Sequence, residues 1–189
     1  GPVLEDDLHS GVGSLPIPIV HGMTLGELAL MMNGEGWLEG GNKCDLTVIP
    51  CEGYTHSTKY SLILPPSPNL KDMRAVYLYS STCFFEGTEV SLGRGTDHPF
   101  EMYGHPDMKG CDFSFTPRSV PGAKNPPLLD RLCYGVDLSS KPLEEIFSEK
   151  VNLEYVIHAY SNLGIGEDFF LKNGFFNLLT GTRRVKAEI

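Results

Sequence analysis

Apolar positions along this chain change rhythm about three-quarters of the way through. Near the start, Leu25, Leu28, Ala29 and Met32 recur at i, i+3, i+4 and i+7, which places them on one face of a helix. Thr24 and Glu27 form a T-x-x-E capping box ahead of them, and Asn33-Gly34 marks the stop. The residues before it, with Pro16 and Pro18, read as an extended lead-in. Cys44–Ile49 alternates and is β-branched, so it predicts a strand ended by Pro50, and Ala75–Tyr79 predicts another. Asp112–Phe115 and Leu132–Val136 are two further strands, separated by Pro117, Pro121, Pro126 and Pro127.

Between the strands lie two irregular stretches. Pro65-Pro66-Ser67-Pro68-Asn69 is too rich in proline for a helix or a central strand. Residues 80–111 carry Gly, Ser, Thr, His and Pro with little periodicity, the mark of a long functional loop. From Lys141 onward the pattern turns helical. Pro142 opens a first turn followed by Leu143, Ile146 and Phe147. Asn152 caps a second helix carrying Leu153, Val156, Ile157 and Tyr160, and Phe169 to Leu179 predicts a third, ending near Gly181. The order, strands and loops first and helices last, predicts an α+β fold with a mixed sheet, long functional loops and C-terminal helices. No repeat or low-complexity tract interrupts it.

Composition narrows the function. The chain has 189 residues, 41% hydrophobic and 21% charged, enough for one sizeable core. Fifteen basic against 24 acidic residues give a formal charge of −9, which argues against nucleic acid and anionic lipid as partners. The one basic knot, Arg183-Arg184 with Lys186, reads as a solvated helix end. No apolar run approaches the ~20 residues that span a bilayer, and Gly1 to Asp7 show neither a basic start nor an apolar core of a leader. The five cysteines form no tight C-x-x-C pair, and Cys44, Cys51 and His56 match no zinc spacing, so no metal or cofactor is expected. Buried thiols, or one disulfide, account for them.

The densest polar stretch is Cys83 to Glu101. Gly93 and Gly95 flank Arg94, so the backbone can take positive φ there and present N–H groups beside a guanidinium able to grip a carboxylate with two bonds. Glu86, Glu89 and Glu101 supply carboxylates for acid–base work. A plain turn would also accept G-R-G, and the strand and helix of a dinucleotide site are missing around it. His21, just ahead of the capped helix, could point into a cleft or simply pack there. Asn69 sits on a proline-stiffened loop, suited to a sugar hydroxyl or to its own turn. Phe169 to Phe176 reads as core, His56, His98 and His105 show no ligand pattern, and no G-x-S-x-G elbow exists.

Taken in order, P-I-P-I-V-H-G-M-T-L-G-E-L-A at 16–29, P-S-P-N-L at 66–70, F-E-G-T-E-V-S-L-G-R-G-T at 85–96 and P-F-E at 99–101 resemble the NamZ-type exo-β-N-acetylmuramidases, long a domain of unknown function. K-C-D-L-T-V-I and C-Y-G-V-D-L look most like members from Bacteroides-type bacteria. The resemblance implies a hydrolase that releases N-acetylmuramic acid from the non-reducing ends of peptidoglycan fragments in the bacterial envelope. It implies that residues 1–189 form the C-terminal, substrate-side domain, partnered by the chain's own N-terminal Rossmann-like domain across a cleft, and inactive alone. The family's catalytic glutamate is expected in that other half. The motif wall it gives here is His21, Asn69, Ser91, Arg94 and Thr96, with Glu101 beside it, for a peptidoglycan-derived saccharide. Arg94 is expected to take the lactyl carboxylate, and Glu86 to be the catalytic candidate, as hydroxyl acceptor or partner carboxylate. A rival reading, from another class, is a non-catalytic carbohydrate-binding or interaction module.

Overall fold

The computed structural model describes residues 3–189. In chain order these form α1 (Leu25–Gly34), α2 (Met73–Thr82), β1 (Met102–His105), β2 (Phe113–Phe115), β3 (Cys133–Asp137), α3 (Leu143–Glu149), α4 (Glu154–Leu163), α5 (Phe175–Thr180) and α6 (Arg184–Glu188). This is the expected α+β arrangement. Two units divide it: Val20–Ser61 form one, and the residues up to Ile19 together with Leu62–Ile189 form the other.

In the smaller unit the capping box closes as the sequence predicts. Thr24 Oγ1 accepts the Glu27 N–H at 3.2 Å, and Glu27 Oε2 accepts the Thr24 N–H at 2.8 Å. No residue of α1 is buried, and Leu25 is 85% exposed, so the apolar face read from the spacing has little packed on it within this unit. Cys44–Ile49 is not a strand. Its backbone meets a side chain instead of a ladder: Asn33 donates to the Cys44 carbonyl at 3.0 Å and accepts the Cys44 N–H at 2.8 Å. A β-branched run without a partner strand has nothing to pair with.

In the larger unit, Ala75–Tyr79 is not a strand either; it is the middle of α2. Asp72 caps it, its Oδ1 accepting the Ala75 N–H at 2.9 Å, and Ala75, Leu78 and Thr82 are buried at helical spacing. The β-type residues Val76, Tyr77 and Tyr79 therefore bow to the cap and the core. α2 is tied to the C-terminal helices, with Arg74 donating to the Lys141 carbonyl and Ser81 Oγ accepting the Asn152 N–H at 2.8 Å.

The sheet has the order β1-β3-β2, and both pairings are antiparallel where a mixed sheet was expected. β2 and β3 fall within one residue of their predicted bounds. At the centre of the β1–β3 pair Gly104 faces Gly135, and a Cβ on Gly135 would run into the Tyr103 carbonyl. Two glycines in register thus let these strands approach more closely than side chains permit.

α3 and α4 lie where the sequence puts them, with Asn152 Oδ1 accepting the Glu154 N–H at 2.9 Å. The third predicted helix is broken: a 3-10 turn covers Gly166–Phe169, Phe170 is extended, and α5 begins only after Gly174 at φ 72°. Phe84, Phe85, Phe100, Phe169 and Phe176 are almost fully buried and fill the main core with Leu78, Val90 and Val156. The lead-in packs against the chain's far end. Glu5 N–H bonds the Gly181 carbonyl at 2.8 Å, and Arg183 reaches Glu5 at 2.9 Å and Asp7 at 2.6 Å. The basic knot is thus a clasp as well as a helix end.

Candidate substrate site

The stretch 80–111, expected to be a loop, begins as the end of α2, continues as a 3-10 turn over Cys83–Gly87 and carries β1 before its irregular end. What remains irregular is pinned on both sides. Glu89 N–H bonds the Phe169 carbonyl and Leu171 N–H the Gly87 carbonyl, both at 3.0 Å. Two residues on, Ser91 and Gly104 exchange a pair of 2.9 Å backbone bonds along β1. Gly93 and Gly95 then take φ of 82° and 83°, the left-handed region that favours glycine. Side chains would not fit there in any case, since a Cβ on Gly93 would lie 2.6 Å from Met102 Cγ and one on Gly95 would strike the Arg118 carbonyl. Arg94 carries the side chain this turn projects.

Arg94 Nη2 donates to Glu86 Oε1 at 2.5 Å, and the two side chains are 30% and 23% exposed. The guanidinium carbon also lies 5.0 Å from the centroid of the Phe100 ring, a cation–π contact. Phe100 is buried at φ 68°, a conformation that costs a non-glycine residue about 1–2 kcal/mol. It is held there by its N–H on the Leu92 carbonyl at 2.8 Å and by Thr82 Oγ1 donating to its carbonyl at 3.3 Å. Local strain is thus used to fix a ring beneath a guanidinium.

Glu101, one residue on, is 2% exposed. Arg74 Nε and His98 Nδ1 each stand 3.6 Å from one of its oxygens. Burial raises its pKa, Asp72 adds to the rise, and His98 and Arg74 oppose it. The folded chain therefore keeps this proton at pH values where the unfolded chain has released it. Its contribution to stability is greatest in acid and declines as pH rises from the ordinary carboxyl range through the raised value. Glu101→Gln removes that decline. The melting temperature of the variant, relative to wild type, is expected to climb as pH rises above the ordinary carboxyl value of about 4, and a pH-independent difference would contradict the assignment.

The remaining predicted residues serve the scaffold. Ser91 is fully buried, its Oγ accepting the Gly93 N–H at 3.3 Å. Thr96 Oγ1 donates to the Gly93 carbonyl at 2.7 Å and accepts the His98 N–H at 3.2 Å, closing the turn around Arg94. Asn69 Nδ2 donates to the Gly122 carbonyl at 3.0 Å, clamping the proline loop. His21 belongs to the smaller unit, where its Nδ1 accepts the Met23 N–H at 3.1 Å. The structure therefore brings Glu86 and Arg94 into direct contact, supported by Ser91 and Thr96, with Glu101 next in line. A cavity of about 250 Å³ lies between residues 62–66 and the start of α2. Lys71 on its wall donates to the Thr96 and Asp97 carbonyls at 3.2 and 3.1 Å.

Cys44, Cys51, Cys83, Cys111 and Cys133 are free thiols, and burial, aided by Glu86, pushes Cys83 up to about 12, which rules it out as a ready nucleophile. Among the described residues no group of three metal-ligating side chains occurs, and no helix is long and apolar enough to cross a membrane. Tyr79, whose ring lies 5.1 Å from Phe100, was hidden by the strand reading of its segment. The Asp72 cap and the 75, 78, 82 spacing were the signals that could have exposed it.

On this α+β scaffold the glycine-bounded turn that carries Arg94 and the 3-10 turn that carries Glu86 bring a guanidinium and a carboxylate into contact. The description "Exo-beta-N-acetylmuramidase NamZ, N-terminal" matches residues 1–74, and its C-terminal counterpart matches residues 77–189. The chain belongs to the NamZ exo-β-N-acetylmuramidase family. It is 35% identical over 206 aligned residues to the peptidoglycan β-N-acetylmuramidase NamZ of Bacillus subtilis (strain 168), with all of this chain and 48% of that protein covered. A DUF1343 family protein of Bacteroides fragilis NCTC 9343 has a crystal structure that matches with TM-score 0.95 at 61% identity, over 99% of this chain and 52% of that one. A second DUF1343 protein of the same organism matches with TM-score 0.72 at 23% identity, over 99% and 53%, a likeness of fold. The chain spans about half the length of these relatives. The expected family and the Bacteroides-type likeness are both found.

Proposed function

We propose that this chain is the substrate-side part of a peptidoglycan hydrolase that releases N-acetylmuramic acid from non-reducing ends of cell-wall fragments. The observation that carries the reading is the Arg94–Glu86 pair, partly exposed and 2.5 Å apart, with Arg94 on a pinned turn, in a chain of this family. In this reading Arg94 takes the lactyl carboxylate through the N–H groups that Glu86 leaves free, because a guanidinium offers five donors in a fork. Glu86, an acceptor fixed by that guanidinium, serves as the partner carboxylate or hydroxyl acceptor across the cleft. A glycosidase needs a second carboxyl roughly 5–9.5 Å away, and in this reading it comes from a part of the whole protein outside this chain. The bacterial envelope is the place where such fragments arise.

Hydrolysis of a chromogenic β-N-acetylmuramide by the intact protein tests this. Glu86→Gln is expected to lower turnover at least 1,000-fold with the fold unchanged, the scale on which glycosidase carboxylates act. The ion pair itself favours a second reading, a non-catalytic carbohydrate-binding module, because a carboxylate locked to an arginine is a good binding element. Under that reading Glu86→Gln weakens saccharide binding, and the wild type hydrolyses nothing.

A further inference from the structure

The Phe100 ring carries a second polar neighbour besides Arg94. Tyr79, on α2, packs on it with centroids 5.1 Å apart and planes at 45°, while the Arg94 guanidinium carbon lies 5.0 Å from the same centroid. Tyr79 is 41% exposed, and its hydroxyl has no hydrogen-bond partner among the described residues. Burial raises its pKa, Cys83 and Glu86 add to the rise and Arg94 opposes it, so the phenol keeps its proton at neutral pH and acts as a donor. One buried, strained phenylalanine thus carries both a cation and a phenol on its ring, with Glu86 bonded to the cation.

We propose that Tyr79 is a substrate-positioning and specificity-determining residue, whose hydroxyl donates to the lactyl carboxylate that Arg94 holds and whose ring covers one face of the sugar. This rests on the reading of Arg94 as the carboxylate site. A carboxylate has two oxygens and about four acceptor positions, more than one partly engaged guanidinium fills. A neutral donor beside it fills the remainder without adding charge that Glu86 would have to offset. The exposed ring supplies the flat apolar surface that the C–H face of a pyranose seeks, as aromatic side chains do when one edge stays wet. The two halves of Tyr79 therefore act on different parts of the ligand, the hydroxyl on the lactyl group alone and the ring on any N-acetylhexosamine.

Calorimetric titration of the intact protein with N-acetylmuramic acid and with N-acetylglucosamine separates these contributions, since the two sugars differ by the lactyl ether. Tyr79→Phe is expected to weaken N-acetylmuramic acid about fivefold to tenfold and to leave N-acetylglucosamine unchanged. Tyr79→Leu is expected to weaken both, with melting curves matching wild type to separate a binding loss from a folding one. A Tyr79→Phe protein that binds both sugars as wild type does, or loses both equally, overturns the role of Tyr79. A wild type without preference for N-acetylmuramic acid overturns the Arg94 reading and this one together. A wild-type preference abolished by Arg94→Gln and untouched by Tyr79→Phe overturns this one alone.

Discussion

Replacing Arg94 by glutamine is expected to weaken N-acetylmuramic acid binding about 100-fold and to leave N-acetylglucosamine binding nearly unchanged. The estimate follows from losing a charge-assisted, two-bond contact in a partly dry site, about 2–3 kcal/mol or a factor of roughly 30–150. Two further effects push the same way. Glu86 loses the guanidinium 2.5 Å from it and faces the incoming carboxylate as a like charge. The cation over Phe100 also disappears, so the strained ring supports nothing. Glutamine keeps most of the bulk and one amide, which makes charge and fork geometry the variables. Calorimetry on the intact protein reads both affinities, and a variant that keeps the wild-type ratio between the two sugars would sink the carboxylate assignment.

Gly135→Ala is expected to be the most damaging single-methyl change in the sheet. The added Cβ meets the Tyr103 carbonyl and, at 2.6 Å, the Gly104 Cα, both backbone atoms of the neighbouring strand. Neither can rotate away, so β1 and β3 must separate. Their separation breaks the ladder that sets Glu101 and the turn bonded to Gly104. Overpacking against backbone costs about 3 kcal/mol or more, and for a chain of this size each kcal/mol moves the melting temperature by about 2–4 °C. A fall of about 10 °C or outright misfolding is therefore expected by circular dichroism. A melting point within about 2 °C of wild type would mean that the strands are not so close.

Which parts of this architecture could be read in advance follows from how local their causes are. The α1 cap was legible because Thr24 and Glu27 satisfy each other within four residues. β2 and β3 were legible because short β-rich runs between prolines found partners. Ala75–Tyr79 went astray because the choice between helix and strand was made by Asp72 outside the run and by a core that buries Ala75, Leu78 and Thr82. Cys44–Ile49 went astray for the opposite reason, since its residues favour a ladder that the chain does not offer. At the site, Gly-Arg-Gly announced a turn and an arginine. Nothing local announces a phenylalanine at φ 68°, because the hydrogen bonds that hold Phe100 there come from Leu92 and Thr82, 8 and 18 residues away. Tyr79 joins Arg94 through that ring, so its part was invisible until the ring was placed.

The clasp between Glu5, Asp7 and Arg183 is among the last contacts to form during synthesis. The groups it joins lie 178 residues apart, and at ribosomal speeds of about 5–20 residues per second the acidic end waits roughly 10–35 s for its arginine. Through that interval Leu4, which ends up buried beside Gly181, has no cover from the α5–α6 region. The contacts between the lead-in and the α5–α6 region therefore form only after residue 183 has been made.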